Sequence, residues 1–527
     1  MYQKRHSIPR EINIYLSFLC FIGFLSFFQN PTAYTWAEQD MMPFLMKIFN
    51  ENLLVEDFFT QASMIKNPRW VYGYLIVGIS TVTSLHWYTV LYFLKLIMLI
   101  LYPAIIFLVL CGLSLKGVSR NKMIRIMPFI ALIVAIFVLS KDLNQFFAIG
   151  SWRPFNASLY PANLSMFFCF TGIIIKEFRI SGQWAFLGLF IIGALIHPVM
   201  ALFVAGFYLP FLLPGWKKEL KTIFKIIAAI LIPGLLISLF LKDASNMDTS
   251  QFIQYYIFER HPWHYHVPDY KQYNPMWLWT FTGISVMYLI PIFYGIKKRS
   301  KYLVISTATA MIFFITAVTL QFIFIDIIPL KFIAYLGPSR YTTFGLWSVL
   351  VCWILMLGLL IKEKPVSPLP VMPYKALLLL IFSLIISGAS LMDDPWQPPS
   401  LTKRNLFSFV HNTPRESVFL TYSQALNTDM RIIGKRNVLI SKEFPFAESR
   451  IKEHAERYTA VYGSRLNRIS EIQYFRSLKP EDWKNIAEQY GLDFLLIEKD
   501  YSDSFNSLTP VWEEGDWQIF ALKDFKL

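Results

Sequence analysis

The sequence predicts a polytopic α-helical membrane protein with a soluble α/β domain at its C-terminal end. Three observations carry that prediction. Of 527 residues, 55% are hydrophobic and 16% charged, against about 25% charged in ordinary globular domains. The mean hydropathy is +0.44, and a chain this apolar needs lipid around it. The basic excess is also confined to one part. From Met392 onward 18 basic residues face 20 acidic ones, so a whole-chain charge of +14 leaves +16 on the apolar part. Short loops rich in Lys and Arg on one side of a membrane produce that distribution. A nucleic-acid partner is not expected.

The same composition excludes a disordered chain, a collagen-like fibre and a disulfide scaffold. The four cysteines, Cys20, Cys111, Cys169 and Cys352, all lie in apolar runs. They are too scattered for a metal motif and say nothing about redox compartment.

The spans come first. Apolar runs at 11–28, 88–115, 123–140, 158–176, 221–241, 276–296, 301–325, 338–361 and 374–391 suit the ~17–25 residues of a crossing helix. Two shorter runs, 182–196 and 198–213, flank His197-Pro198. Basic clusters near Lys4, Lys116, Lys217, Lys297 and Lys362 set these loops in the cytoplasm. The run 70–84 then cannot cross alone, and its Trp70, Tyr72 and Tyr74 suit a helix lying on the outer surface. Eleven crossings result, with a cytoplasmic N-terminus and an extracytoplasmic C-terminus in the inner membrane. The domain division is 1–391 for the membrane part and 392–527 for the exported part. Long polar segments at 29–87, 141–157, 242–275 and 326–340 place function on the outer face.

The tail follows a linker at Asp393–Pro399. Ser417–Thr421, Asn437–Ser441, Asp493–Glu498 and Trp517–Leu522 read as strands. Pro445–Tyr458 and Pro480–Tyr490 read as helices, with Pro480 in a first turn and Gly491 at a helix end. Strands that follow helices predict a partly parallel sheet. No phosphate loop or nucleophile elbow appears, so the tail reads as a lid or docking module.

Candidate chemistry sits in four places. The first outer segment carries Glu38 and Asp40 beside the membrane, where a carboxylate can serve as general base or metal ligand. A solvated loop acid is the plainer alternative. Glu51, Glu56 and Asp57 read as the polar face of a following helix. The third outer segment carries Glu259-Arg260-His261-Pro262-Trp263-His264-Tyr265-His266, three of the chain's eight histidines within six residues. Such a run can bind phosphate with Arg260. A divalent metal, with Asp248, Glu259 or Asp269 as further ligands, is the less favoured occupant. His197 between two short spans needs a polar partner or water, and packing alone could supply it. Arg340 in Leu336-Gly-Pro-Ser-Arg340-Tyr341 suits a lipid-linked phosphate, or it snorkels. Asp142 in the second outer loop is weaker.

These features resemble the GT-C superfamily of integral membrane glycosyltransferases, in an uncharacterised bacterial branch with an exported α/β tail. The residues that carry the resemblance are the Asp40 region, His197-Pro198, Arg260-His261 to His264, and Arg340. It covers nearly the whole chain. It implies inverting sugar transfer from a polyprenyl-phosphate donor at the outer, periplasmic face. Asp40 would match the base, and Arg340 with the run from Arg260 to His264 would hold the phosphate. The chain departs from the family in having Glu-Gln-Asp rather than adjacent acids, and in lacking an acidic pair in the second outer loop, so a metal requirement is not implied. Two other classes stay open. One is a non-catalytic binding or assembly component of envelope polysaccharide machinery. The other is a transporter, against which the spans carry few acids and show no inverted repeat.

Overall fold

The computed structural model describes residues 11–28, 42–50, 52–54, 56–67, 69–150, 152–155, 159–240, 247–260, 262–362, 401–441, 445, 447–463, 470–500 and 509–522. They form two compact units. The first takes the described residues of 1–33, 84–240 and 262–396, the second those of 34–83, 241–261 and 397–527.

The first unit is helical. Its helices include Ile12–Phe28, Trp87–Ser114, Arg120–Leu139, Pro161–Phe178, Gln183–Ile196, Pro198–Tyr208, Trp216–Phe240, Trp277–Lys297, Lys301–Gln321 and Thr343–Leu360. Among the described residues six stretches are long and apolar enough to cross a membrane: Trp87–Ser114, Arg120–Leu139, Leu213–Ile237, Trp277–Lys297, Lys301–Ile327 and Lys331–Leu360. Ile12–Phe27, Trp184–Ile196 and Pro198–Phe211 are shorter apolar helices. The run 374–391 lies outside the described residues.

Burial separates an inner from an outer helix set. Trp87–Ser114 is 72% buried over its most apolar window, whereas Leu213–Ile237 is 28% buried. The latter leaves Phe224, Leu231, Ile232 and Leu235 on the surface. An apolar face of that extent gives the chain its membrane-protein character. Helix Ile12–Phe28 meets Trp87–Ser114 backbone to backbone at Gly23, where a Cβ would stand 2.2 Å from the Leu99 carbonyl oxygen. Small residues permit such approaches between apolar helices. Across other contacts Trp353 Nε1 donates to Met287 O at 3.0 Å and the Tyr288 hydroxyl to Gly345 O at 2.8 Å.

The second unit is built on a five-stranded sheet. Its strands are β1 Val418–Thr421, β2 Asn437–Val438, β3 Phe494–Glu498, β4 Trp512–Glu514 and β5 Trp517–Ala521, in the order β2-β1-β3-β5-β4. β1 runs parallel to β2 and β3, and β5 is antiparallel to β3 and β4. The partly parallel sheet is therefore as the sequence predicts. The helices Leu401–Asn412, Gln424–Ile432 and Glu471–Ser477 and the strand β4 were not predicted. β4 carries Trp512-Glu513-Glu514, without apolar alternation to mark it. The predicted helix at 445–458 forms instead as Ile451–Tyr462. The linker 393–399 lies outside the described residues.

Alternation along the strands sends successive side chains to opposite faces. Leu420, Leu495, Ile497 and Phe520 join Tyr462, Phe475 and Trp483 in one core. Phe419, Leu496 and Ile519 join Leu406, Val410 and Met430 in the other. Phe58 and Phe59 from the segment 29–87 belong to that second core. Asp57, expected on an exposed polar face, caps the helix Phe58–Met64 instead, accepting from Thr60 N at 2.7 Å. It is fully buried and ion-paired with Arg431 at 2.9 Å. The sequence reading of Asp57 is corrected accordingly. Two phenylalanines follow the cap directly, and their burial carries the carboxylate inside.

Candidate functional site

Within the first unit three segments converge. The segment 152–155 brings Trp152, the short helix Pro262–Tyr265 brings His264 and Tyr265, and the 3-10 turn Pro338–Thr342 brings Arg340. The Arg340 guanidinium carbon stands 5.0 Å from the Trp152 ring centroid and 5.5 Å from that of Tyr265. Its Nη2 donates to the Tyr265 hydroxyl. The His264 ring lies 5.4 Å from the Trp152 ring, and its Nδ1 is 3.2 Å from Gly150 O. Aromatic faces on a guanidinium attract it and fix its plane. Arg340 and His264 are both half-buried and both meet the same indole.

Buried amide and hydroxyl bonds hold this cluster. Gln321, fully buried, donates to Tyr265 O at 2.9 Å and accepts from Ser339 N at 3.4 Å. Thr343 Oγ1 donates to Arg153 O at 3.3 Å, and Trp347 Nε1 to Pro154 O at 2.9 Å. The turn itself needs Gly337, whose φ is +56°. A Cβ there would meet Arg340 Nε and the Tyr265 ring, each at 3.0 Å. Only glycine adopts that backbone freely. Burial pushes the nearby Tyr270 phenol up from its ordinary value, so it stays a neutral wall.

His266 turns to carboxylates. Its Nδ1 is 2.7 Å from Asp269 Oδ2 and its Nε2 3.2 Å from Asp326 Oδ1. Asp326 also accepts from Val267 N at 3.4 Å. His266 thus ties the loop to the π-turn Phe322–Ile327 that follows helix Lys301–Gln321. His197 caps the helix Pro198–Tyr208, its Nδ1 accepting from Met200 N at 3.2 Å. Its carbonyl accepts from Ser165 Oγ at 3.2 Å.

Glu38, Asp40 and His261 lie outside the described residues. Arg260 ends the π-helical stretch Ile253–Arg260 of the second unit, and its side chain is outside them too. Among the described residues no group of three or more His, Cys, Asp or Glu could hold a metal ion. The sequence reading did not single out Trp152, Gln321, Asp326 or the turn role of Gly337. Gly337-Pro338 was the available signal, a turn immediately before Arg340.

The turn that carries Arg340 also lines an apolar cavity of about 390 Å³. Pro338 and Tyr341 line it together with Phe203, Ile226, Phe313 and Leu320. A cationic, aromatic-flanked position and an apolar cavity thus share one turn. Such a pair of features suits an amphipathic anion, phosphate at one end and hydrocarbon at the other.

No family model matches the chain, and no curated protein matches it. Among solved structures it is similar to the archaeal oligosaccharyltransferase AglB from Archaeoglobus fulgidus. The complex of that protein with an inhibitory peptide and a dolichol-phosphate matches at 12% identity and a TM-score of 0.36, over 92% of this chain and 69% of that one. The apo form matches at 11% identity and a TM-score of 0.37, with the same coverage.

Proposed function

We propose that the chain is a GT-C-type membrane glycosyltransferase that takes its sugar from a polyprenyl-phosphate donor at the extracytoplasmic face. The observation that supports this reading is the shared turn: Arg340 against Trp152 and Tyr265, with Pro338 and Tyr341 on the wall of an apolar cavity. Arg340 binds the phosphate oxygens, His264 assists, and the prenyl chain lies along the cavity. His266 positions the loop through its two carboxylates, and His197 shapes the shortened helix pair.

Transfer then proceeds by in-line attack of an acceptor hydroxyl on the anomeric carbon. The new carbon–oxygen bond forms as the bond to the phosphate oxygen breaks, with inversion. Polyprenyl phosphate leaves with the electron pair, and the acceptor proton passes to a loop carboxylate, Asp40, with Glu38 as the neighbouring acid. Arg340 stabilises the charge that develops on the leaving phosphate.

The test is turnover by the purified full-length protein of a panel of polyprenyl-phosphate sugars, read as released polyprenyl phosphate. Turnover of at least one donor is expected. Absence of both turnover and polyprenyl-phosphate binding across the panel contradicts the reading.

A further inference from the structure

We infer that the apolar cavity beside Arg340 reads about the first three isoprene units of the donor lipid, and that Ala317 sets this length. The inference rests on the transfer reading above and deepens it. The donor class becomes prenyl phosphates with at least that much chain, and whatever chain lies beyond the cavity goes unread.

The cavity has a wall of limited length. Helix Lys301–Gln321 lines it with Phe313, Thr316, Ala317 and Leu320, and residues spaced three and four apart share one helix face. From Phe313 to Leu320 that face runs about 10 Å at 1.5 Å per residue. Helices Pro198–Tyr208 and Trp216–Phe240 supply much of the rest of the lining. Among the described lining residues Thr316 and Tyr341 alone carry a side-chain oxygen, and the Tyr341 hydroxyl donates to Gly206 O at 3.3 Å. A cavity so lined stays dry and suits hydrocarbon rather than a sugar or a headgroup.

Continuity with Arg340 says which hydrocarbon enters. Pro338 and Tyr341 line the cavity and belong to the same turn as Arg340. Leu320 precedes Gln321, which bonds Tyr265 O and Ser339 N beside that turn. The chain esterified to a phosphate at Arg340 is therefore the one that meets this lining. Volume then sets how much of it fits. A dry apolar cavity of roughly 150 Å³ holds a benzene ring, six carbons. At that ratio about 390 Å³ holds about fifteen carbons, or three five-carbon units. Ala317 is 6% exposed and sits between Phe313 and Leu320 on the wall. Ala317→Phe adds one phenyl ring, which leaves room for about two units.

The test titrates the purified full-length protein in neutral detergent with dimethylallyl, geranyl, farnesyl and geranylgeranyl phosphates, and with a long polyprenyl phosphate. The chain leaves detergent rather than water, so the gain per unit is one of packing and falls short of full transfer from water. Apparent affinity should rise about tenfold per unit up to farnesyl phosphate, then by less than about threefold to geranylgeranyl phosphate. In Ala317→Phe the rise should end at geranyl phosphate. Ile312→Phe, on the same helix but 56% exposed and outside the lining, should keep the wild-type profile. Partition into detergent is common to all three proteins. Should Ala317→Phe fail to melt cooperatively, the wild-type profile decides alone. A rise that continues undiminished to geranylgeranyl phosphate, or that ends at the same length in Ala317→Phe, overturns the inference and leaves the transfer reading standing. So does binding of the long polyprenyl phosphate alone. Absence of binding by every phosphate in the series overturns both. Dioctanoyl phosphatidylglycerol that displaces farnesyl phosphate at equal concentration assigns the cavity to an ordinary membrane lipid and overturns the inference.

Discussion

Arg431 and Asp57 form a fully buried ion pair within the second unit, Nη2 to Oδ2 at 2.9 Å, although 374 positions separate them. Arg431 Nε reaches the same oxygen at 3.1 Å, and the guanidinium carbon lies 4.8 Å from the Phe59 ring centroid. Asp57 also accepts from Thr60 N and Oγ1, both at 2.7 Å, and from Val438 N at 3.3 Å. One carboxylate thus fastens the helix Phe58–Met64 to the tail helix Gln424–Ile432 and to strand β2.

Asp57→Ala should therefore destabilise the second unit by about 3–5 kcal/mol, because a buried guanidinium would be left uncompensated. Glu456→Gln, which removes the exposed pair with Lys452 at 3.9 Å, should change stability by less than about 1 kcal/mol. Limited proteolysis of the tail and thermal melting of the full-length protein report both. Equal, small effects would show that the buried pair does not hold the loop.

Arg340→Lys keeps the charge and discards the planar fork that stacks on Trp152 and Tyr265. Loss of one charge-assisted contact is worth about 1.5–3 kcal/mol, which predicts roughly 10- to 150-fold weaker polyprenyl-phosphate binding. Membrane levels should be unchanged. Binding at full strength in the lysine variant would remove Arg340 from the phosphate site.

Gly337→Ala adds a Cβ 3.0 Å from Arg340 Nε in a backbone of positive φ. Its strain should cost about 1 kcal/mol and move Arg340, lowering donor binding with it. Gly215→Ala, where no atom lies within 4 Å of the new Cβ, serves as the control. Wild-type donor binding in Gly337→Ala would mean the turn does not set the guanidinium.

His266→Ala leaves Asp269 and Asp326 facing each other without the ring between them. Asp326 has a side chain only 7% exposed. A loss of about 1–3 kcal/mol in stability is expected, read by thermal melting, and Asp326→Asn in the same background should recover part of it. No recovery would argue that the two carboxylates do not repel.

The sequence showed those features whose cause is local. Long apolar runs announced the helices, Pro480 and Gly491 bracketed one tail helix, and short apolar runs marked β1, β3 and β5. Features with a distant cause stayed hidden. Asp57 precedes a short helix as any polar cap would, and its burial depends on Arg431 and on the core that takes Phe58 and Phe59. Trp152 carries no motif, since its role arises from Arg340, 188 positions away. The histidine run was visible, but not the division of labour within it. His264 packs on Trp152, while His266 goes to Asp269 and Asp326, and the latter belongs to another helix. Helix Gln424–Ile432 escaped because its apolar positions are few and spaced among polar residues.

The central claim is that a loop carboxylate activates the acceptor of a lipid-phosphate sugar held near Arg340. Release of polyprenyl phosphate from the donor, measured at matched membrane levels for wild type, Asp40→Asn and Glu38→Gln, tests it most directly. Asp40→Asn preserves shape and removes basicity, so the rate should fall by ~10²–10⁴, while Glu38→Gln should remain within about tenfold of wild type. Full turnover by Asp40→Asn would contradict the account.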